Sequence, residues 1–305
     1  MYFAKYLLSI EEFRDTEKGR VLVERAFSRV DETRRRKAEG MRPGQPQMVC
    51  LGAGLLLQLA VREALDRNVG KEEEDRERAG REGADREGKS VSGEDEKTIK
   101  IKQYSAIQLL TCVERTPRAS LSYTYGEKGK PYFKDLPFYF NLSHSGDYVL
   151  CGLSTEEIGA DIQQHCGKDV GKLARRFFSR REAAVLEQAG AAREKLFYKL
   201  WARKEAYGKL TGRGVADILD VDLLPGGGRN LEKGNGFGDG YMLPSREAVL
   251  PVGRAALSQA TVLPDGRCLI WEEWDAEGYS IAFCRYGQGK TGTMAVLATS
   301  ALFGI

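Results

Sequence analysis

Apolar and polar residues change period several times along this chain, and each change predicts an element. Met48 to Leu65 (MVCLGAGLLLQLAVREAL) is apolar almost all round, as a helix buried between layers is. Gly52, Ala53 and Gly54 within it permit close packing. Met1 to Ile10 is an apolar run broken by Lys5 and followed at once by Glu11 and Glu12, which reads as a first strand rather than a signal peptide. Phe138, Phe140, Leu142 and His144 alternate with Tyr139, Asn141 and Ser143. That is strand periodicity, ending at the turn-like Ser145-Gly146-Asp147, with a returning strand from Tyr148 to Leu153. Ile158 to Gln163 reads as a third strand, on which Asp161 and Gln163 share a face because side chains repeat every two residues. Ser179 with Glu182 is a capping-box signal, and a longer helix runs from Arg193 to Leu210, stopped by Gly212. Strands come first and helices follow in each half, so the fold class is α+β.

Two stretches interrupt this pattern. Residues 68–100 hold almost no large apolar side chain and cannot bury enough surface to offset ordering entropy, so they are expected to be a disordered insertion. Residues 225–245 are crowded with glycine and read as a loop or hairpin excursion. The expected division is an N-terminal subdomain over 1–157 and a C-terminal one over 158–305.

With 305 residues and 42% hydrophobic content the chain is long enough for one large domain or two ordinary ones. Net charge is +3, but residues 71–100 contain eight Lys/Arg against eleven Asp/Glu, which leaves the remainder at +6. That excess suits an anionic ligand or an acidic partner and identifies neither. Six cysteines without a CxxC pair read as buried thiols of a cytoplasmic protein. The apolar tail, Met294 to Ile305, is too short to span a bilayer, and neither a membrane nor a nucleic-acid partner is expected. Gly289-Lys290-Thr291 has the ending of a phosphate-binding loop, but Cys284 stands where the earlier glycine is required.

On the helix from Arg193, Glu205 and Lys209 lie one turn apart at the border of an apolar arc. Glu followed by Lys at this spacing is also the favoured order of an ordinary surface pair. Asp161 and Glu205 are hard-oxygen donors of the kind Mg²⁺ prefers. With Lys130, His144, Lys204 and Lys209 they make a mixture suited to a metal-bound pyrophosphate.

Three segments carry a family resemblance. GKPYFKDLPFYFNLSHSGDYVLCGLSTEEIGADIQ (Gly129–Gln163), RRFFSRRE (Arg175–Glu182) and FYKLWARKEAYGKLTGRG (Phe197–Gly214) resemble, in order and spacing, the signature motifs of surfactin-type 4′-phosphopantetheinyl transferases. The resemblance is strong over about residues 129–224, weak over the first 65 and absent from both insertions. It implies a pseudo-twofold monomer of two similar α+β subdomains with coenzyme A, the substrate, held between them. It also implies transfer of 4′-phosphopantetheine to a serine of an apo acyl or peptidyl carrier protein, releasing adenosine 3′,5′-bisphosphate.

Carried over residue by residue, the resemblance gives Asp161, Gln163 and Glu205 to the metal, Mg²⁺ or Mn²⁺. Glu205 would also be the base for the carrier serine, directly or through water. Lys209 would neutralise charge on the transferred or leaving phosphate, with Lys204 in support. Lys130, Ser143 and His144 would hold the adenosine phosphates, and Arg34 and Lys37 the 3′-phosphate. DETRRRKAE, around these last two, reads equally as a solvated helix face. The family's third acidic ligand is here the neutral Gln163, and an arginine that often opens the buried helix is here Met48. The Gln163 replacement leaves room for a second reading, a non-catalytic module that binds coenzyme A or a carrier protein. A third is a structural member of a biosynthetic complex.

Overall fold

The computed structural model describes residues 2–14, 16–81, 101–167, 170–224, 256–263, 265–276 and 278–287. By contacts the chain divides into two compact units, Ala4–Leu121 and Ser122–Ile305. Each combines strands with helices, in agreement with the α+β expectation.

In the first unit β1 (Phe3–Ser9) pairs in parallel with β2 (Lys102–Tyr104), Leu7 opposite Gln103. Between them run α1 (Glu17–Arg29), α2 (Glu32–Glu39) and α3 (Gln45–Arg81), and α4 (Ala106–Glu114) follows. Thr16 caps α1, and Asp31 caps α2 by accepting the backbone N–H of Arg34. Leu51, Leu55, Leu56 and Leu57 of α3 are buried. Gly54 allows the approach foreseen for it, since a Cβ there would stand 2.7 Å from Val30 Cγ1. The span Gln45–Arg67 is long and apolar enough to cross a membrane, but 78% of its most apolar stretch is buried inside the protein, as in a core helix.

The helix continues to Arg81. The expected disordered insertion is therefore corrected at its start: residues 68–81 are helical, and their many Glu, Lys, Arg and Ala are strong helix formers. Residues 82–100 lie outside the described ones, as does the glycine-rich stretch 225–245.

The second unit begins with a short hairpin of β3 (Tyr123–Tyr125) and β4 (Pro131–Phe133), then an antiparallel pair of β5 (Tyr139–Ser145) and β6 (Tyr148–Ser154). A four-stranded antiparallel sheet follows in the order β7 (Ile158–Gln164), β10 (Tyr279–Tyr286), β9 (Cys268–Ala276), β8 (Ala256–Val262). Helices α5 (Gly171–Phe177), α6 (Arg180–Gln188) and α7 (Arg193–Thr211) lie between β7 and β8 in sequence. Both reciprocal bonds of the Ser179–Glu182 capping box are present, and Gly212 ends α7 at φ +69°, in the left-handed region open to glycine.

By contacts the two compact units divide at 121/122. Within the second unit the β5–β6 pair is tied to β7: the Asn141 side chain donates to Ile158 O at 3.5 Å and accepts from Ala160 N at 3.3 Å. Three closing strands, β8 to β10, were not read from the sequence. One face of α7 is fixed to them by a buried bidentate pair, Arg203 to Glu273, at 2.7 Å for each bond.

Candidate active site

Strand β7 and helix α7 meet almost backbone to backbone. A Cβ on Gly159 would stand 1.8 Å from Ala206 O and 2.9 Å from Leu210 N, so only glycine permits this approach. The consequence is local: Asp161, two residues on along β7, comes against the side chain of Lys209. Lys209 Nζ donates to Asp161 Oδ1 at 2.7 Å and to Ala160 O at 3.2 Å.

Asp161 is buried, and its carboxylate is surrounded by donors. Ser143 Oγ donates to Oδ1 at 2.6 Å, and Gln163 Nε2 donates to Oδ2 at 2.7 Å. One position each of β7, β5 and α7 thus converges on a single carboxylate, and Gln163 does so from the strand face it shares with Asp161.

Glu205, one turn before Lys209, lines a cleft of about 290 Å³ with Lys128, Lys130, Leu142, Lys209 and Gly214. Burial pushes its carboxyl above the ordinary range, the charge of Asp161 adds to that, and Lys209 opposes both. A carboxyl so placed is a stronger base than one in water.

Lys130 reaches the same cleft, but its ammonium donates to Leu210 O at 2.7 Å and stands 3.6 Å from Glu157. Burial pushes its pKa down against the pull of Glu157. His144 is exposed on the face of β5 opposite Ser143 and is not among the residues lining the cleft. Arg34 and Lys37 lie on α2 in the other unit, Lys37 exposed.

Lys204 requires a correction. It is completely buried and turned away from the cleft: its ammonium pairs with Glu182 at 2.8 Å and donates to Leu219 O and Val221 O. Glu182, also fully buried, accepts from Ser179 N and Leu223 N. A lysine engaged in this way is a structural post, not a phosphate ligand. The sequence reading missed Glu182 because its capping-box signal accounted for it already, and missed Asn141 because a buried strand amide carries no local signature.

The donor set fits a hard divalent cation. Asp161 and Glu205 supply carboxylate oxygens, and the amide oxygen of Gln163 is a neutral third donor. Among the described residues no three His, Cys, Asp or Glu side chains converge as a metal cluster, and Mg²⁺ commonly takes one or two carboxylates and fills its shell with water and phosphate. The mutual repulsion that raises Glu205 is relieved when a cation sits between two carboxylates.

Residues 157–236, which hold β7, α5 to α7 and all of Asp161, Gln163, Glu205 and Lys209, match the family model of the 4′-phosphopantetheinyl transferase superfamily. The resemblance read from the motifs therefore stands on comparison as well. Among curated proteins, the chain is 49% identical over 106 residues to a putative 4′-phosphopantetheinyl transferase of Synechocystis sp., covering 33% of this chain and 43% of that protein. It is 42% identical over 90 residues to the 4′-phosphopantetheinyl transferase psf-1 of Bacillus pumilus, covering 29% and 38%. With the 4′-phosphopantetheinyl transferase Sfp of Bacillus subtilis (strain 168) it shares 36% identity over 106 residues, covering 34% and 46%. Each match spans less than half of the relative's length.

Proposed function

We propose that this protein transfers 4′-phosphopantetheine from coenzyme A to a serine hydroxyl of an apo acyl or peptidyl carrier protein. The observation that carries the reading is the contact of β7 with α7. It places Asp161 and Lys209 in one hydrogen-bonded unit beside Glu205, inside the segment similar to the transferase superfamily.

In the proposed reaction the serine oxygen attacks the β-phosphorus of the coenzyme A pyrophosphate. The bond from that phosphorus to the bridging oxygen breaks, and adenosine 3′,5′-bisphosphate leaves. Glu205 takes the serine proton, for which its raised basicity suits it. Lys209, paired with Asp161, faces the cleft, where it stabilises charge developing on the transferred phosphate. Ser143 and Gln163 hold Asp161 in one orientation. Asp161 and Glu205, with the Gln163 oxygen, would hold Mg²⁺ or Mn²⁺, which when bound neutralises pyrophosphate charge. Lys130, at the cleft wall, is assigned to the adenosine phosphates; Arg34, Lys37 and His144 keep the phosphate roles that the resemblance implies. A monomer of two pseudo-twofold-related halves, acting in the cytoplasm, belongs to the same proposal.

The test is incubation with a fluorescent coenzyme A analogue, Mg²⁺ and two apo carriers, one acyl and one peptidyl. Label and the corresponding mass increase on either carrier, lost with EDTA and in Glu205→Gln, are expected. Coenzyme A binding with no label on any carrier would replace the transferase by the non-catalytic binding module.

A further inference from the structure

Three lysines line the cleft, and the structure commits them differently. Lys209 is engaged by Asp161 and by a backbone carbonyl, and Lys130 by the carbonyl of Leu210 at the end of α7. Lys128 is engaged by an exposed carboxylate. Its ammonium pairs with Asp217, and the two side chains are 54% and 48% exposed.

The two partners belong to different segments of the chain. Lys128 is in the connection of the β3–β4 hairpin, a turn closed by Gly126 N to Lys130 O and Gly129 N to Gly126 O, both at 2.9 Å, with Gly129 at φ +80°. Asp217 is in the 3₁₀ turn Val215–Ile218, reached from α7 through Gly212 and Gly214, which both have positive φ. Lys128 to Pro131 line the cleft, and so do Gly212, Gly214 and Val215. The ion pair therefore joins two segments that both contribute to the cleft lining.

We propose that Lys128 and Asp217 form an exchangeable clasp: Asp217 occupies the Lys128 ammonium in the free protein, and a phosphate of the entering ligand displaces it. An ion pair this exposed is weakly held. A phosphate dianion offers more charge and three strong acceptor oxygens to the same ammonium. Asp217 is then an internal competitor for the phosphate, and Lys128 a phosphate-recognition residue. The identity of the phosphate rests on the reading given under Proposed function; the exchange itself needs only an anionic phosphate ester.

The two partners should have opposite effects, which a merely structural pair would not produce. Binding of coenzyme A and of adenosine 3′,5′-bisphosphate is measured by titration calorimetry at low and moderate salt. Asp217→Asn is expected to tighten binding several-fold, and Lys128→Ala to weaken it several-fold and to reduce its salt dependence, as loss of one phosphate contact does. Thermal melts of both variants check that the fold is kept. Effects of the same sign, or changes below twofold in both variants while the unaltered protein binds coenzyme A and labels a carrier, would overturn the clasp and leave the proposed function standing. Failure of the unaltered protein to bind either ligand would overturn both.

Discussion

Replacing Lys204 by methionine separates a structural role from a catalytic one. Lys204 and Glu182 are each fully buried, and methionine keeps most of the lysine's volume while removing its charge. Burial pushes the Lys204 ammonium down and Glu182 pulls it back, so each group's charge is tolerated because of the other. Removing one partner of a buried pair costs about 3–5 kcal/mol, since the remaining charge stays desolvated. For a unit of this size that is a fall of about 6–20 °C in melting temperature. The two backbone N–H donors that Glu182 keeps, from Ser179 and Leu223, place the expected loss at the lower end. The assay is a urea titration of both proteins together with the transfer rate, measured well below the midpoint and expressed per folded molecule. Lys204→Met should lose stability and keep its rate within about threefold, and Glu182→Gln added to it should restore part of the loss by neutralising the stranded carboxylate. A variant of ordinary stability whose transfer collapses would refute the assignment and return Lys204 to the phosphates.

Glu205→Gln should abolish transfer and raise the melting temperature at neutral pH. The folded carboxyl holds its proton above the unfolded value, so stability falls as pH rises through the folded pKa, and above it the ionised group carries the whole penalty that glutamine removes. For the same reason Glu205 in the metal-free protein should titrate above the ordinary carboxylate value of about 4.3, read by NMR; titration at that value would remove the raised basicity from the argument. Gly159→Ala must push β7 from α7, with about 1–3 kcal/mol of overpacking and a lower kcat, read from melts and initial rates; unchanged kcat would show that the site tolerates the displacement. Gln163→Glu adds a carboxylate beside Asp161, so the melting temperature without metal should fall and its rise on adding Mg²⁺ should grow. An equal response to Mg²⁺ in both proteins would place residue 163 outside the metal's reach.

What the sequence made legible were elements with a local cause. The alternation in 138–144, the strand at 158–163, the Ser179 box and the Gly212 stop each depend on period or capping within a few residues, and each is where the structure puts it. Lys204 was misread although its geometry is local too: consecutive helical residues diverge by about 100°, so Lys204 and Glu205 cannot both face one cleft. The same argument at period two separates Ser143 from His144. Strand β9 was hidden for a different reason. Trp271, Glu272, Glu273 and Trp274 are all buried, which erases alternation, and the acidic positions inside it make sense only once Arg203, seventy residues away, is found opposite Glu273.

The same long-range pair explains how the site keeps its geometry. Helix α7 is held on one side by Arg203 to β9 and by Lys204 to Glu182 of α6, and on another by the Gly159 contact to β7. Three successive residues therefore do different work: 203 and 204 anchor the helix through buried charges, and 205 is left to the cleft. The anchors fix the rotation of α7 about its own axis, and that rotation decides whether Glu205 and Lys209 point at Asp161. A neutral Gln163 is compatible with this arrangement because Lys209 and Ser143 orient Asp161 as well. Arg203 ties α7 to the sheet that also holds β7, so loosening that anchor is predicted to misdirect two functional side chains at once. Arg203→Met, which leaves Glu273 with Lys199 at 3.8 Å in place of its bidentate partner, should therefore lower kcat in the molecules that remain folded, whereas Lys204→Met, with Arg203 still in place, should not.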